Sequence, residues 1–305
     1  MRNLLLGALY LSLAASIWGG LFVTVRVAVT VIPPVQLVWM RYVTALLTLY
    51  LLGRSMHVDW HIRREHWRIV FLVGLIGQTI SIVTQETGTM LTSAQTGSIV
   101  TASTPAFMVI FARLLLRERF TAGRVFSVVL ATIGVLFIVA DPDNVQITGF
   151  WGGFSLIVAA LTWAVMSVLL KLLPDYSPIV ITFYGVLVAV VLLAPYSVWW
   201  LTSTDWTPMY EPRIWGSVLY MGIISTSVGF CLWNKGLLLM DASLGGLFLF
   251  FQPVVGTFLG WLLLGEPVTA WFWIGSALVA AGVVLAMRGG NAQEPKTVRD
   301  RCHSV

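Results

Sequence analysis

The sequence predicts an all-α integral membrane protein whose ten transmembrane helices form two inverted five-helix repeats. Three observations lead there. The chain is 58% hydrophobic and 10% charged, with a mean hydropathy of +0.89, whereas a soluble domain carries about 25% charged residues. Ten apolar runs have the ~17–25 residues that cross about 30 Å of hydrocarbon. A phrase also recurs: LLLRERFT at 114–121 returns as LLLGEPVT at 262–269.

The first span, 4–25, follows Arg2. Small residues at Ala14, Ala15 and Ser16 mimic a signal cleavage site, but the repeat described below gives this span a counterpart and keeps it in the mature fold. The second, 31–52, starts near Pro34 and carries Arg41 inside WMRYVTALL at 39–47. The third, 68–89, follows a basic loop and holds Glu86 near its far end. The fourth, 92–115, contains Pro105 within SIVTASTPAF and leads to Glu118; Thr121 then stands where the fifth, 122–140, needs an N-cap.

The sixth span, 150–172, mirrors the first, since AALTW at 159–163 faces AASIW at 14–18. The seventh, 178–200, ends at Trp199 and Trp200, in the interfacial position where tryptophan anchors helices. The eighth, 214–237, carries Trp233 and the ninth, 243–264, carries Gln252 and Pro253. Glu266 and Thr269 then introduce the tenth, 270–287. The tail, 289–305, has almost nothing apolar to bury and is expected to be disordered and cytoplasmic.

Charge sets the expected orientation. With the amino terminus in the cytoplasm, all but Arg26, Arg41 and Arg213 of the 18 basic residues fall on the inner side, while DPDN at 141–144 and STDWTPMYEP at 203–212 put acid outside. That asymmetry places both termini in the cytoplasm of a multi-pass cell-membrane protein. The net charge of +5 is thereby a topology signal, and nucleic acid is not expected as a partner. The two cysteines, Cys231 in a span and Cys302 in the tail, suggest no disulfide framework.

Sliding the chain by 148 positions aligns Gly74 with Gly222, Gly88 with Gly236, Ala94 with Ala242 and Gly97 with Gly245. Pro105 then meets Pro253, Glu118 meets Glu266, Thr121 meets Thr269 and Gly134 meets Gly282; at the first and sixth spans the offset is 145, so Trp18 meets Trp163. The repeats are 4–141 and 150–288. Five spans per copy is an odd number, so the second copy enters the membrane in the opposite sense. Such inverted repeats are a recurring plan of secondary transporters, with the substrate held near the midplane where the halves meet.

Two five-span units, a proline midway along the fourth span of each, a leucine-rich end with glutamate before each fifth span, and arginine inside the second span resemble the EamA type of the drug/metabolite transporter superfamily. The resemblance covers about residues 4–288. It implies a ten-helix carrier that often exports amino acids, metabolites or drugs, and it does not name the substrate.

Candidate substrate-binding residues are Trp18, Arg41, Glu86, Trp163, Tyr184, Trp233 and Gln252. Trp18 and Trp163 lie deep in their spans, as a cavity wall or as helix packing, with Tyr184 and Trp233 as further aromatic surface. Arg41 lies roughly 10 Å below the outer surface at 1.5 Å per residue. Burying arginine costs about 2.5–3.5 kcal/mol at a helix centre, less with snorkelling, so it pairs with Glu86, reaches to the surface or faces a substrate carboxylate. Pro105 and Pro253 are helix-kink candidates: each proline removes a donor and clashes with the carbonyl four residues back, at Thr101 and Leu249. A carbonyl so freed faces protein or a water-filled cavity. Gln252, a mid-membrane amide beside the second kink, is expected to face the interior.

No histidine lies within a span, and there is no Walker-type glycine loop, aspartate-rich pyrophosphate motif or metal-ligand spacing. No cofactor, metal or catalytic residue is expected. The leading reading is a secondary carrier, working in the export direction, for small organic solutes, above all metabolites such as amino acids. Efflux of amphipathic drugs is the alternative within transport. A membrane enzyme acting on lipid-linked substrates is the rival class and lacks the acidic or histidine cluster it would need. Small residues every four positions (Gly123, Ser127 and Ala131; Ser276 and Ala280) mark the fifth and tenth spans for close helix packing, within one subunit or across a homodimer.

Overall fold

The computed structural model describes residues 2–91, 97, 100–101, 103–118, 122–139, 150–203, 209, 211–264 and 270–290. Among these residues every regular element is helical, and the elements line up as ten successive rods. They are α1 (Arg2–Ala28), α2 (Pro34–Ser55), α3 (Arg64–Leu91), α4 (Thr104–Leu116), α5 (Ala122–Val139), α6 (Phe150–Leu170), α7 (Pro178–Ser203), α8 (Pro212–Leu238), α9 (242–264) and α10 (Ala270–Gly290). Six of them, α1, α2, α3, α6, α7 and α8, are long and apolar enough to cross a membrane; the other four contain shorter apolar helices. Glu266, Thr121 and Thr269, the other corner residues expected from sequence, lie outside the described residues.

The chain is a membrane protein, and its surface agrees with that. Leu47, Leu51, Leu114, Val191 and Trp199 point outward while glycine, serine, threonine and tryptophan are buried between helices. Lipid tails are as apolar as leucine, so helix association depends on close backbone approach and interhelical hydrogen bonds instead.

Glycines set the closest approaches, and they do so in pairs. A Cβ on Gly74 of α3 would stand 2.8 Å from the Gly185 carbonyl oxygen of α7; one on Gly222 of α8 would stand 2.7 Å from the Arg41 carbonyl oxygen of α2. Likewise Gly88 of α3 lies against Leu156 and Gly152 of α6, and Gly236 of α8 against Leu11 and Gly7 of α1. Each half thus lays its third rod across the first and second rods of the other half.

The irregular segments sharpen this correspondence. In α3 the residues Val73–Ser81 form a π-helical stretch, as do Tyr220–Val228 in α8. In each, a hydroxyl donates to the carbonyl five residues earlier, Thr79 to Gly74 and Ser227 to Gly222, both at 3.0 Å. Widened turns of this kind displace a carbonyl from its usual partner, and the hydroxyl satisfies it. Hydropathy alone predicts two uninterrupted helices here, because an inserted residue leaves apolar content unchanged.

Pro253 is preceded by the 3₁₀ turn Leu247–Phe250, and Pro105 by an i to i+3 bond from the Ser103 N–H to the Val100 carbonyl at 3.0 Å. Both prolines are buried. α5 and α10 pack against each other. Ser127 is fully buried, whereas Gly123 has open space around it and Ala280 is exposed.

Candidate functional site

Trp18 of α1 and Trp163 of α6 occupy matched positions and meet edge to face, with ring centroids 5.1 Å apart. Phe230 and Trp233, both from α8, complete the cluster at 5.5 Å and 5.3 Å from Trp18. Small residues on the packing faces let such large rings into the bundle: a Cβ on Gly229 would stand 2.8 Å from Trp18 Nε1. Two indole N–H groups are satisfied. Trp18 donates to the Ser225 carbonyl at 3.0 Å and Trp233 to Ser167 Oγ at 3.3 Å. Trp163 Nε1 is buried with no partner among the described residues.

Above this aromatic layer lies a cavity of about 440 Å³, its open mouth included. Trp18, Phe22, Arg41, Gln85, Thr101 and Thr104 line it from one half of the chain, and Ala160, Trp163, Phe230 and Gln252 from the other. An apolar wall with a few convergent polar groups is the usual composition of a small-molecule site.

Arg41 is the ionised side chain of that lining. It is fully buried and pairs with the equally buried Glu86, Nη1 to Oε1 at 2.7 Å. Its Nε and Nη2 both donate to Thr226 Oγ1, at 3.1 and 3.0 Å. Thr226 belongs to the π-helical stretch of α8, so a guanidinium from one half is held by a hydroxyl from the other. The second carboxylate oxygen of Glu86 has no partner among the described residues. Breaking such a pair leaves a buried uncompensated charge.

The sequence candidates therefore divide. Trp18, Arg41, Trp163 and Gln252 share the cavity wall; Glu86 stands directly behind Arg41, and Trp233 behind Trp18. Tyr184 is elsewhere: its hydroxyl donates to the Trp60 carbonyl at 3.1 Å, and its ring packs on Trp60 and Trp67. Thr101 was named from sequence only for the carbonyl that Pro105 frees, and Phe230, Gln85, Thr104 and Thr226 were not singled out. The polar run Ser225, Thr226 and Ser227 inside an apolar span was the available signal for the last of them.

On the other side of the aromatic layer the two halves are tied together. The Glu118 carboxylate accepts hydrogen bonds from the backbone N–H groups of Ala242 and Ser243, at 3.0 and 3.3 Å, and from Ser243 Oγ at 2.6 Å. It caps the first turn of α9 from the end of α4. Within the second half, Lys171 donates to the Leu237 and Met240 carbonyls at 2.7 and 2.6 Å.

Comparison with known proteins settles the family. The model of the EamA-like transporter family matches residues 5–140 and again 150–288. The chain belongs to the EamA-like transporter family. It resembles an uncharacterized transporter of Archaeoglobus fulgidus, 27% identical over 91% of this chain and 97% of that one. A Bacillus subtilis permease-like protein is 59% identical over 23% of this chain and 90% of its own length. A probable terminal-alkyne amino-acid exporter of Streptantibioticus cattleyicolor is 24% identical over 72% of this chain and 73% of its own. A solved crystal structure overlays with a TM-score of 0.76 at 18% identity, covering 94% of this chain and 98% of that one, which shows the shared fold. The family and these relatives are transporters by name.

Proposed function

We propose that this EamA-like transporter is a secondary carrier that exports small organic solutes, above all metabolites such as amino acids, by alternating access between two inverted repeats, 4–141 and 150–288. The observation that carries the proposal is the cavity between the halves, floored by the matched pair Trp18 and Trp163 and holding one buried arginine. An aromatic floor suits an apolar side chain, and a guanidinium suits a carboxylate. The amino-acid exporter among the relatives supports the substrate class. Arg41, Trp18, Trp163 and Gln252 are the proposed contacts, with Glu86 and Trp233 supporting them from behind.

With both termini in the cytoplasm, the cavity lies on the outer side of the aromatic layer and the Glu118 tie on the inner side. The described conformation is then closed inward. Bringing the cavity to the inner side requires release of Glu118 from α9 and tilting of the two halves. The size of the aromatic cluster favours one second reading, efflux of amphipathic drugs, in which the same rings hold a larger apolar body. A homodimer contact along α5 and α10 is proposed only through their exposed faces, at Gly123 and Ala280.

The test is counterflow in proteoliposomes over a panel of amino acids, organic acids and amphipathic cations. Counterflow of amino acids supports the leading reading, preference for amphipathic cations supports the second, and exchange of no solute contradicts both.

A further inference from the structure

We propose that Glu86 takes up a proton when a solute carboxylate binds Arg41, so that the acid and its proton cross the membrane together. The inference rests on the carrier reading above and adds the solute class and its coupling ion. Two unpartnered buried groups motivate it. Trp163 lines the cavity and its buried Nε1 is a donor without an acceptor among the described residues, and Glu86 Oε2, behind it, is an acceptor without a donor among them. Arg41 lies between, lining the cavity and bonded to Glu86 Oε1 at 2.7 Å. A ligand that satisfies both Trp163 and Arg41 must present acceptor oxygens close to an apolar body, as an aromatic or aliphatic carboxylate does.

Charge balance supplies the proton. The Arg41–Glu86 pair is neutral, so an entering carboxylate that brings no ammonium group of its own leaves one uncompensated negative charge in a region of low dielectric, and that is the costly state. Adding a proton from water to the Glu86 carboxylate removes it. The Arg41–Glu86 ion pair is then replaced by an Arg41–solute ion pair, and release of the solute reverses both changes. Few other groups can take this proton. From α2, Tyr42 lies beside Arg41 with its hydroxyl donated to Gln78, at 2.9 Å to the carbonyl and 3.0 Å to Oε1. α6 carries no ionisable side chain. In α1, Tyr10 lies under Lys235 at the other end, and Arg26 is exposed. α8 presents Thr226 to the pair.

The test is calorimetric titration of the purified full-length protein with phenylpyruvate, repeated in buffers of different ionisation enthalpy, which counts protons taken up per molecule bound. The wild-type protein is expected to take up close to one proton per phenylpyruvate and none on binding 2-phenylethanol. Glu86→Gln is expected to bind phenylpyruvate without proton uptake. Should that variant fail to fold, the wild-type count alone decides. Phenylpyruvate binding with no proton uptake overturns the coupling and leaves the carrier reading standing. Uptake that persists in folded Glu86→Gln overturns the assignment to Glu86. A folded wild-type protein that does not bind phenylpyruvate, while counterflow of other solutes proceeds, overturns the carboxylate class.

Discussion

Trp18 and Trp163, 145 positions apart in sequence, touch edge to face at an interplanar angle of 88°. Each comes from the first rod of its half, and together they form the floor of the cavity and the top of the seal beneath it. If this layer divides the inner from the outer route, shrinking either ring will affect transport more than folding. Trp163→Phe removes an indole N–H that has no partner among the described residues, so it is expected to fold normally yet weaken solute affinity by about threefold to tenfold, the worth of one hydrogen bond. Trp18→Phe loses its bond to Ser225 and is expected to lose about 1 kcal/mol of stability as well. Thermal unfolding and binding measured on both variants check this.

The paired glycines make a prediction about packing. Gly74→Ala and Gly222→Ala each drive a methyl into a facing backbone carbonyl, at 2.8 and 2.7 Å. Overpacking of this kind costs about 1–3 kcal/mol. Gly216→Ala, with nothing within 4 Å of the added atom, serves as the control and is expected to be neutral or slightly stabilising. Folded yield in membranes and melting temperature are the measurements. Equal behaviour of all three variants would mean that the halves do not pack as closely as described.

Arg41 and Glu86 are expected to behave as a unit. Arg41→Gln or Glu86→Gln alone leaves one buried charge unpaired, at a cost of about 3–5 kcal/mol. The double variant removes both charges and is expected to recover much of that stability, which a double-mutant cycle on melting temperature would show as strong coupling. Arg41→Lys keeps the charge but loses the planar fork that reaches Glu86 and Thr226 together, so it is expected to recover only part of both stability and solute affinity. Additive single effects would contradict the pairing.

Orientation is tested separately. A cysteine at Asn144 is expected to react with an impermeant thiol reagent in intact cells, and one at Arg64 is not. The reverse pattern would reject the inside-positive reading of the charges and, with it, the assignment of the cavity to the outer side.

Much of this arrangement was legible in the sequence. Hydropathy gave the helical membrane class, because apolar runs of spanning length have few other uses. The matched tryptophans, prolines and glycines were visible because duplication preserves spacing. Arg41 and Glu86 were readable as partners since an ionised group inside a span needs one. What the sequence hid were features that depend on geometry between rods. The π-helical stretches leave no hydropathy signature, and they decide that Thr226 reaches Arg41. Tyr184 read as further aromatic surface for the cavity, yet its position on α7 turns it toward Trp60 and Trp67. Phe230 looked like any other apolar residue of α8 until the rings of Trp18 and Trp163 were placed around it.

Reversible locking of the inner tie tests the central claim most directly. Glu118, just past the end of α4, and Ser243 of α9 are within 2.6 Å through their side chains. With both native cysteines replaced by serine, cysteines at 118 and 243 are to be joined by a short, cleavable bifunctional thiol reagent in proteoliposomes. Alternating access requires these two ends to separate once per cycle, so counterflow is expected to stop when the bridge forms and to return when it is reduced. Counterflow that continues at the unbridged rate in fully cross-linked protein would contradict the account.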